Sequence, residues 1–422
     1  MKTIKQNNQN KTENNLLDVN SNSLNKRRFL KNSLATGLTL MSGGITLTNS
    51  MTALGENSKV TIAPPKRLMS KKSWAKTNLR GGESFILPSM SPDFKKIDEE
   101  GIRREVRHSI KQGFCSVMPL PIGIDSKTDL LMQDIVADEA KEKIFTVGII
   151  RPGSWKEKKQ SIRDMEKKGT SHVLMYFNPD LKNEDAIYHE MKTIIENTSL
   201  GIILYAKPSP KIKHLDPTGL PLATFDRLAE LDNVVGVKFT QTLRPATAYA
   251  VAERLGNRLL LGVVDLEMML PLSLKYKMQW TGQWGIDSLQ SPDTPWVNQF
   301  LDLLRQGKNQ EANDLYWRYE TIASHFFKLQ APSLSIGGHP WLHIKYMKWL
   351  TGGNGGLLAD LNATNEYVPH LDAKGRKKCR EAFQRVEIKT TNLPDDAFVV
   401  GNAAYEKGVR PKDLPAMPQY IS

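Results

Sequence analysis

From Ser84 onward the chain repeats one pattern: a short apolar run, a polar loop, then a longer stretch with apolar residues three and four positions apart. The short runs read as strands buried on both faces, and the longer stretches have the period of amphipathic helices. The runs are Ser84–Pro88, Phe114–Met118, Ile144–Ile150, His172–Tyr176, Leu200–Tyr205, Val234–Phe239, Leu259–Val263 and a weaker eighth at Gln279–Thr281. Between them the pattern predicts a helix capped by Asp98 and running to Ile110, then helices over Thr128–Lys141 and Trp155–Lys168. The next helix carries an apolar face of Ile187, Met191, Ile194 and Ile195. Further helices are predicted over Thr224–Leu231, Ala246–Leu255, Leu266–Tyr276 and Trp296–Arg305.

Alternations of about 30 residues have the size of a βα unit, and eight of them match a closed barrel. An open doubly wound sheet is the alternative, but it normally uses fewer strands and a glycine-rich first turn; neither GxGxxG nor GxxxxGK[ST] occurs here. The predicted fold is therefore α/β, a (β/α)8 TIM barrel over 81–305. Additional helices at Gln310–Leu329, His339–Leu350 and Ala373–Arg385 form a C-terminal extension over 306–389. Residues 390–422 are polar, rich in Pro and Gly, and read as an extended tail.

Charge changes the picture only at the N-terminus. The formal net charge is +13, but residues 1–31 carry +5, residues 56–83 another +5, and residues 32–55 none. Little is left for the barrel, too little for a surface that tracks phosphates, so no nucleic-acid partner is expected. Residues 1–25 read as a disordered leader. Asn25-Lys26-Arg27-Arg28-Phe29-Leu30-Lys31 followed by the uncharged stretch Asn32–Gly55 has the layout of an export signal and resembles a twin-arginine signal, with the spacing around the arginines altered. It predicts export to the periplasm. Gly37, Gly43, Gly44 and several Thr and Ser make that stretch too polar for a stable membrane span. Residues 56–80 read as a basic linker. Cys115 and Cys379 offer no metal spacing and at most one disulfide.

In a barrel of this kind the chemistry sits at the C-terminal ends of the strands. That rule selects Met118 and Pro119, Tyr176 and Phe177, Tyr205, Lys238, Val264 and Asp265, and Thr281. Lys238 ends an apolar run, where an unpaired ammonium is costly to bury. Either a carboxylate pairs with it, or its pKa falls and it becomes a nucleophile. Tyr205 ends the neighbouring strand, and an amine beside a phenol is a Schiff-base constellation: the amine condenses with a ketone and the phenol shuttles protons. Three other groups are weaker candidates. His339 and His343 could share a helix face, without the acid of an HExxH motif. Asp265 and Glu267 read as a helix cap. Trp280 and Trp284 either line a sugar pocket or cover the barrel rim.

Several of these segments resemble the dihydrodipicolinate synthase / N-acetylneuraminate lyase superfamily of class I aldolases. Ile202-Ile203-Leu204-Tyr205-Ala206-Lys207-Pro208 is similar to its strand-five motif, apolar residues followed by Tyr-Asn-x-Pro. Val234-Val235-Gly236-Val237-Lys238 is similar to its strand-six motif, Ile-x-Gly-x-Lys. Met175-Tyr176-Phe177-Asn178-Pro179 resembles the Pro-Tyr-Tyr-Asn segment, and Leu260–Asp265 the strand-seven segment around Gly262. The resemblance spans about 81–388. It implies a lyase in which Lys238 forms the Schiff base with a small keto acid and Tyr205 relays protons and positions the carboxylate. Tyr176, Phe177, Gly262 and Lys207 would bind substrate, with no cofactor and no metal, and the chain would assemble as a dimer or tetramer. Three features depart from the family, and the first is Ala206 where the strand-five motif has Asn. The strand-two loop, Pro121-Ile122-Gly123-Ile124-Asp125, lacks the hydroxyls of Gly-Thr-Thr-Gly-Glu, and Ser209-Pro210-Lys211 stands where an arginine is usual. These departures point away from lysine biosynthesis and leave open a degenerate barrel that binds a small molecule such as a sugar acid.

Overall fold

The structure is a computed structural model that describes residues 69–240, 244–335, 338–358 and 367–415, all within one compact unit, Lys59–Ser422. The leader, the twin-arginine-like segment and most of the basic linker lie outside the described residues.

Eight strands, β1 (Gly81–Ile86), β2 (Ser116–Pro119), β3 (Phe145–Ile150), β4 (His172–Met175), β5 (Gly201–Ala206), β6 (Val234–Phe239), β7 (Leu260–Val263) and β8 (Trp280–Thr281), close into a barrel in sequence order. Every pairing is parallel, and closure comes from Gly81 opposite Trp280 and Gly82 opposite Thr281. Parallel strands need a crossover on each return, and the polar–apolar stretches between the runs supply it as helices. Side-chain caps fix where several of those helices begin. Asp125, Asn183 and Asp265 each accept a first-turn backbone N–H, and Ser154 and Glu157 form a reciprocal capping box.

The crossover helices are α2 (Glu99–Lys111), α3 (Ser126–Ala140), α4 (Trp155–Lys167), α5 (Glu184–Glu196), α6 (Leu222–Leu228), α7 (Pro245–Leu255) and α8 (Leu266–Ser273). Ahead of them, α1 (Lys71–Asn78) lies in the segment expected to be a basic linker. Its one large apolar residue accounts for the difference. Trp74 is buried, with its ring 5.4 Å from Phe145 and 6.4 Å from His172, so α1 stops the N-terminal end of the barrel.

After β8 come α9 (Trp296–Arg305), α10 (Asn309–Ser335), α11 (Trp341–Leu350) and α12 (Ala373–Arg385). All ten residues of α11 are buried, Lys345 and Lys348 among them. His339 lies before α11, which starts after Pro340, so His339 and His343 do not share a helix face; His339 stacks on Trp341 instead, 4.8 Å between rings. The expected extended tail is also partly helical. α13 (Asp395–Val400) and α14 (Asn402–Tyr405) follow, and Phe398 packs 5.0 Å from Tyr346 and 5.7 Å from Trp349. The four apolar residues Ala397–Val400 are too few to show a helical period, yet they bury a continuous face against α11. No helix among the described residues is long and apolar enough to cross a membrane.

Candidate active site

Strand side chains alternate between the barrel interior and the helix layer. On β6 that alternation turns Lys238 inward. Tyr205 on β5 sits directly opposite it in the strand register, and Gly262 on β7 lies on its other side. The Lys238 Nζ is 4.9 Å from the centre of the Phe85 ring and 5.6 Å from that of Tyr205. Tyr176, just past β4, meets Tyr205 edge to face at 4.6 Å. The structure therefore gathers the lysine and the two tyrosines at the C-terminal ends of strands four to six. Lys238 is only 3% exposed. Burial pulls its ammonium down to about 8, against the opposing pull of the Glu83 carboxylate.

Other expected substrate contacts are placed differently. Phe177 points out of the barrel and packs edge to face on Phe225 of α6, because it is one residue out of phase with inward-facing Tyr176. The space in front of Gly262 is filled by Trp280: a Cβ at Gly262 would come within 2.1 Å of the indole. Gly262 therefore lets Trp280 lie across the barrel interior rather than opening room for a ligand. Lys207 is exposed beyond β5, and Lys211 pairs with Asp180. In the β2–α3 loop, Ile122 and Ile124 pack on the core and Asp125 caps α3 through the Thr128 N–H at 2.8 Å. That side of the mouth is apolar.

Asp265 and Glu267 behave as a cap, the Asp265 carboxylate accepting from the Glu267 N–H at 3.0 Å. Burial pushes the Asp265 carboxyl up. Asp265 also lines a cavity of about 90 Å³, together with Gln283 beyond β8 and Tyr316, Glu320 and Gln330 of α10. Trp284 is buried beneath the same helix, against Phe326 and Trp341. Among the described residues no cluster of His, Cys, Asp and Glu is arranged to hold a metal.

Sequence reasoning missed Glu83, Ser116 and His172. Glu83 faces the interior from β1 at 1% exposure. It accepts from the Ser116 hydroxyl at 3.3 Å and has His172 Nε2 at 3.5 Å. The signal was available, since a carboxylate inside an apolar strand carries the same burial penalty that singled out Lys238. The apolar run begins at Ser84, whereas β1 begins at Gly81 and so includes Glu83.

Fold and site define an enzyme-like (β/α)8 barrel organised around one desolvated amine with a phenol beside it. The chain belongs to the dihydrodipicolinate synthetase family, whose model matches residues 82–334. A 4-hydroxy-tetrahydrodipicolinate synthase 2 of Clostridium acetobutylicum is 34% identical over 176 residues, 38% of this chain. The match covers 58% of that relative, so the chain spans little more than half its length. An N-acetylneuraminate lyase of Clostridium perfringens is 26% identical over 211 residues, 46% of this chain and 68% of the relative. Among solved structures, dihydrodipicolinate synthase from Aquifex aeolicus superposes with a TM-score of 0.56 at 15% identity, covering 74% of this chain and 100% of that one. A pyruvate complex of a prophage-encoded family member from E. coli K12 gives 0.57 at 13% identity, over 73% of this chain and 99% of that one. These two likenesses establish the fold.

Proposed function

We propose that the protein is a Schiff-base lyase acting on a 2-keto acid, with Lys238 as the nucleophile and Tyr205 as the proton relay. The observation that carries this reading is the Lys238 amine itself, buried at the end of β6, lowered to about 8 and level with Tyr205. A lysine in that state offers a free amine near neutral pH. The amine attacks the keto carbon, a C–N bond forms, and the carbonyl oxygen leaves as water to give an iminium. The iminium then withdraws electrons from the neighbouring C–C or C–H bond, which is what aldol cleavage, condensation and dehydration require. Tyr205 and Tyr176, in edge contact beside the amine, would move protons on and off the substrate.

The apolar β2–α3 loop and the exposed position of Lys207 support a substrate other than that of lysine biosynthesis, since neither supplies the hydroxyls or the cation that would clamp a small keto-acid carboxylate. The export-type N-terminal sequence supports a periplasmic location, and the family resemblance supports assembly as a dimer or tetramer. A second reading, a barrel that binds a sugar acid without turning it over, is favoured only by that same rewritten loop.

Borohydride reduction in the presence of pyruvate and of longer, polyhydroxylated 2-keto acids tests the proposal. The expected result is a reduced adduct mapped by peptide mass to Lys238 and absent from Lys238→Met. Failure to trap an adduct with any 2-keto acid would leave the binding reading in its place.

A further inference from the structure

The interior of a (β/α)8 barrel is ordinarily filled with branched apolar side chains. Here a column of polar groups runs through it. At the lower end is His172 on β4, beneath Trp74, with its Nδ1 2.8 Å from the Ser171 hydroxyl. Glu83 on β1 comes next, 3.5 Å from His172 Nε2 and hydrogen-bonded to Ser116 of β2. Lys238 on β6 stands above. Glu83 and Lys238 share the space left by a glycine: a Cβ at Gly282 would lie 3.1 Å from Glu83 Oε1 and 3.4 Å from Lys238 Nζ. His172 and Glu83 are 0% and 1% exposed, so water does not screen any of these groups.

We propose that Glu83 is a positioning residue whose carboxylate is the charge partner of the Lys238 amine, setting how readily the amine gives up its proton and neutralising the cation formed when it condenses. The second half rests on the Schiff-base reading; the first does not. The geometry gives the carboxylate two jobs with opposite demands. Beside a free ammonium, Glu83 favours the charged form and restrains its loss of a proton. Condensation then replaces the ammonium by an iminium with the same single positive charge. The amine nitrogen gains its bond to carbon, and its departing protons and the carbonyl oxygen leave as water. The charge that Glu83 faces is therefore unchanged across the step, and no ion has to be moved into or out of the dry interior. Ser116 holds the carboxylate from β2 with His172 packed beside it from β4, Phe85 and Tyr205 flank the amine from β1 and β5, and Gly282 leaves the gap between the two charges open. The neighbouring Cys115 thiol is pushed up to about 12 by burial, in the same direction as the Glu83 charge, and stays a neutral spectator.

The test follows the charge of Lys238 directly. Acetic anhydride labels free amines, and peptide mass analysis of Lys238 across pH gives its midpoint without any substrate. Glu83→Gln is expected to move that midpoint down by about one pH unit, and Glu83→Asp to keep it near wild type. In parallel, borohydride trapping with pyruvate at about pH 9.5, above both midpoints, is expected to fall about tenfold in Glu83→Gln, because the neutral amine then becomes a cation whose counter-charge is gone. An unchanged midpoint in Glu83→Gln, or no labelling of wild-type Lys238 at any pH, overturns the proposal. If the labelling midpoint moves but wild type traps no 2-keto acid, the Schiff-base reading fails while the charge pairing stands. Should Glu83→Gln fail to fold, the double variant Glu83→Leu with Lys238→Met decides. A charge pair predicts that the double variant folds, whereas a purely structural Glu83 predicts that adding Lys238→Met rescues nothing.

Discussion

Lys238 in the barrel and Lys348 on α11 are buried alike, 3% and 4% exposed, yet they hold their protons in opposite ways. Burial penalises both ammonium groups. At Lys348 it is outweighed by Asp287 at 2.8 Å and Glu105 at 3.1 Å, with further acceptors in Phe85 O at 3.1 Å and Ser84 Oγ at 3.3 Å, so this lysine is held above the ordinary value. At Lys238 a single carboxylate acts from beyond ion-pair contact, burial wins, and the amine falls to about 8. The two environments meet at one strand. Glu83 points into the barrel towards Lys238, and its neighbour Ser84 points out towards Lys348. Depth of burial therefore does not set the direction in which these two amines are displaced; the number of carboxylates in contact does.

The sharpest way to break this comparison is to remove each amine in turn. Lys238→Met should abolish borohydride trapping completely while changing stability by no more than about 1 kcal/mol, because the buried ammonium it removes was itself disfavoured and Glu83 keeps the Ser116 hydroxyl as a partner. Lys348→Met should do the reverse. It leaves Asp287 and Glu105 buried without their cation, which costs about 3–5 kcal/mol in denaturant unfolding, while the folded fraction still traps at Lys238. Equal stability losses in the two variants would mean that both lysines are structural. A smaller effect comes from making Lys348 resemble Lys238. Asp287→Asn removes one carboxylate and weakens the contacts from Ser84 Oγ at 2.6 Å and Phe85 N at 3.1 Å, for a loss of about 1–3 kcal/mol, and it should bring the Lys348 amine down into the range where acetic anhydride labels it.

Most of the barrel was legible in the chain because its signals are local. Val234–Phe239 and Ala373–Arg385 have the boundaries that the pattern predicts, and the Ile187, Met191, Ile194 and Ile195 face of α5 is buried as expected. Lys238 stood out because a charge ending an apolar run has few explanations, and the eight-strand count placed Tyr205 beside it. What stayed hidden depends on contacts between distant segments. Nothing near Lys348 in sequence announces Glu105 or Asp287. The Gly262 gap reads as room for substrate until Trp280 is seen to occupy it. Phe177 and Tyr176 are adjacent aromatics whose different roles follow only from which one faces inward. Helix α1 and the pair α13 and α14 were missed because each is short and anchored by a single large residue, Trp74 or Phe398, rather than by a periodic face.

The most gradual readout of the same contrast is the pH dependence of stability. Lys238 has a folded value of about 8 against an ordinary 10.5. Between those two values the unfolded chain binds more protons at this position than the folded one, so its contribution to stability rises with pH, by about 1 kcal/mol per unit. Lys348 is displaced the other way. Its contribution is fully present below the ordinary lysine value and is lost only as pH climbs past it. Urea unfolding at intervals from pH 7.5 to 10 should therefore show wild type gaining on Lys238→Met from pH 8 upward, while the gap between wild type and Lys348→Met stays level. A flat difference for Lys238→Met would mean that its amine is as firmly protonated as that of Lys348. The contrast between a reactive and a structural lysine would then collapse into two buried ion pairs.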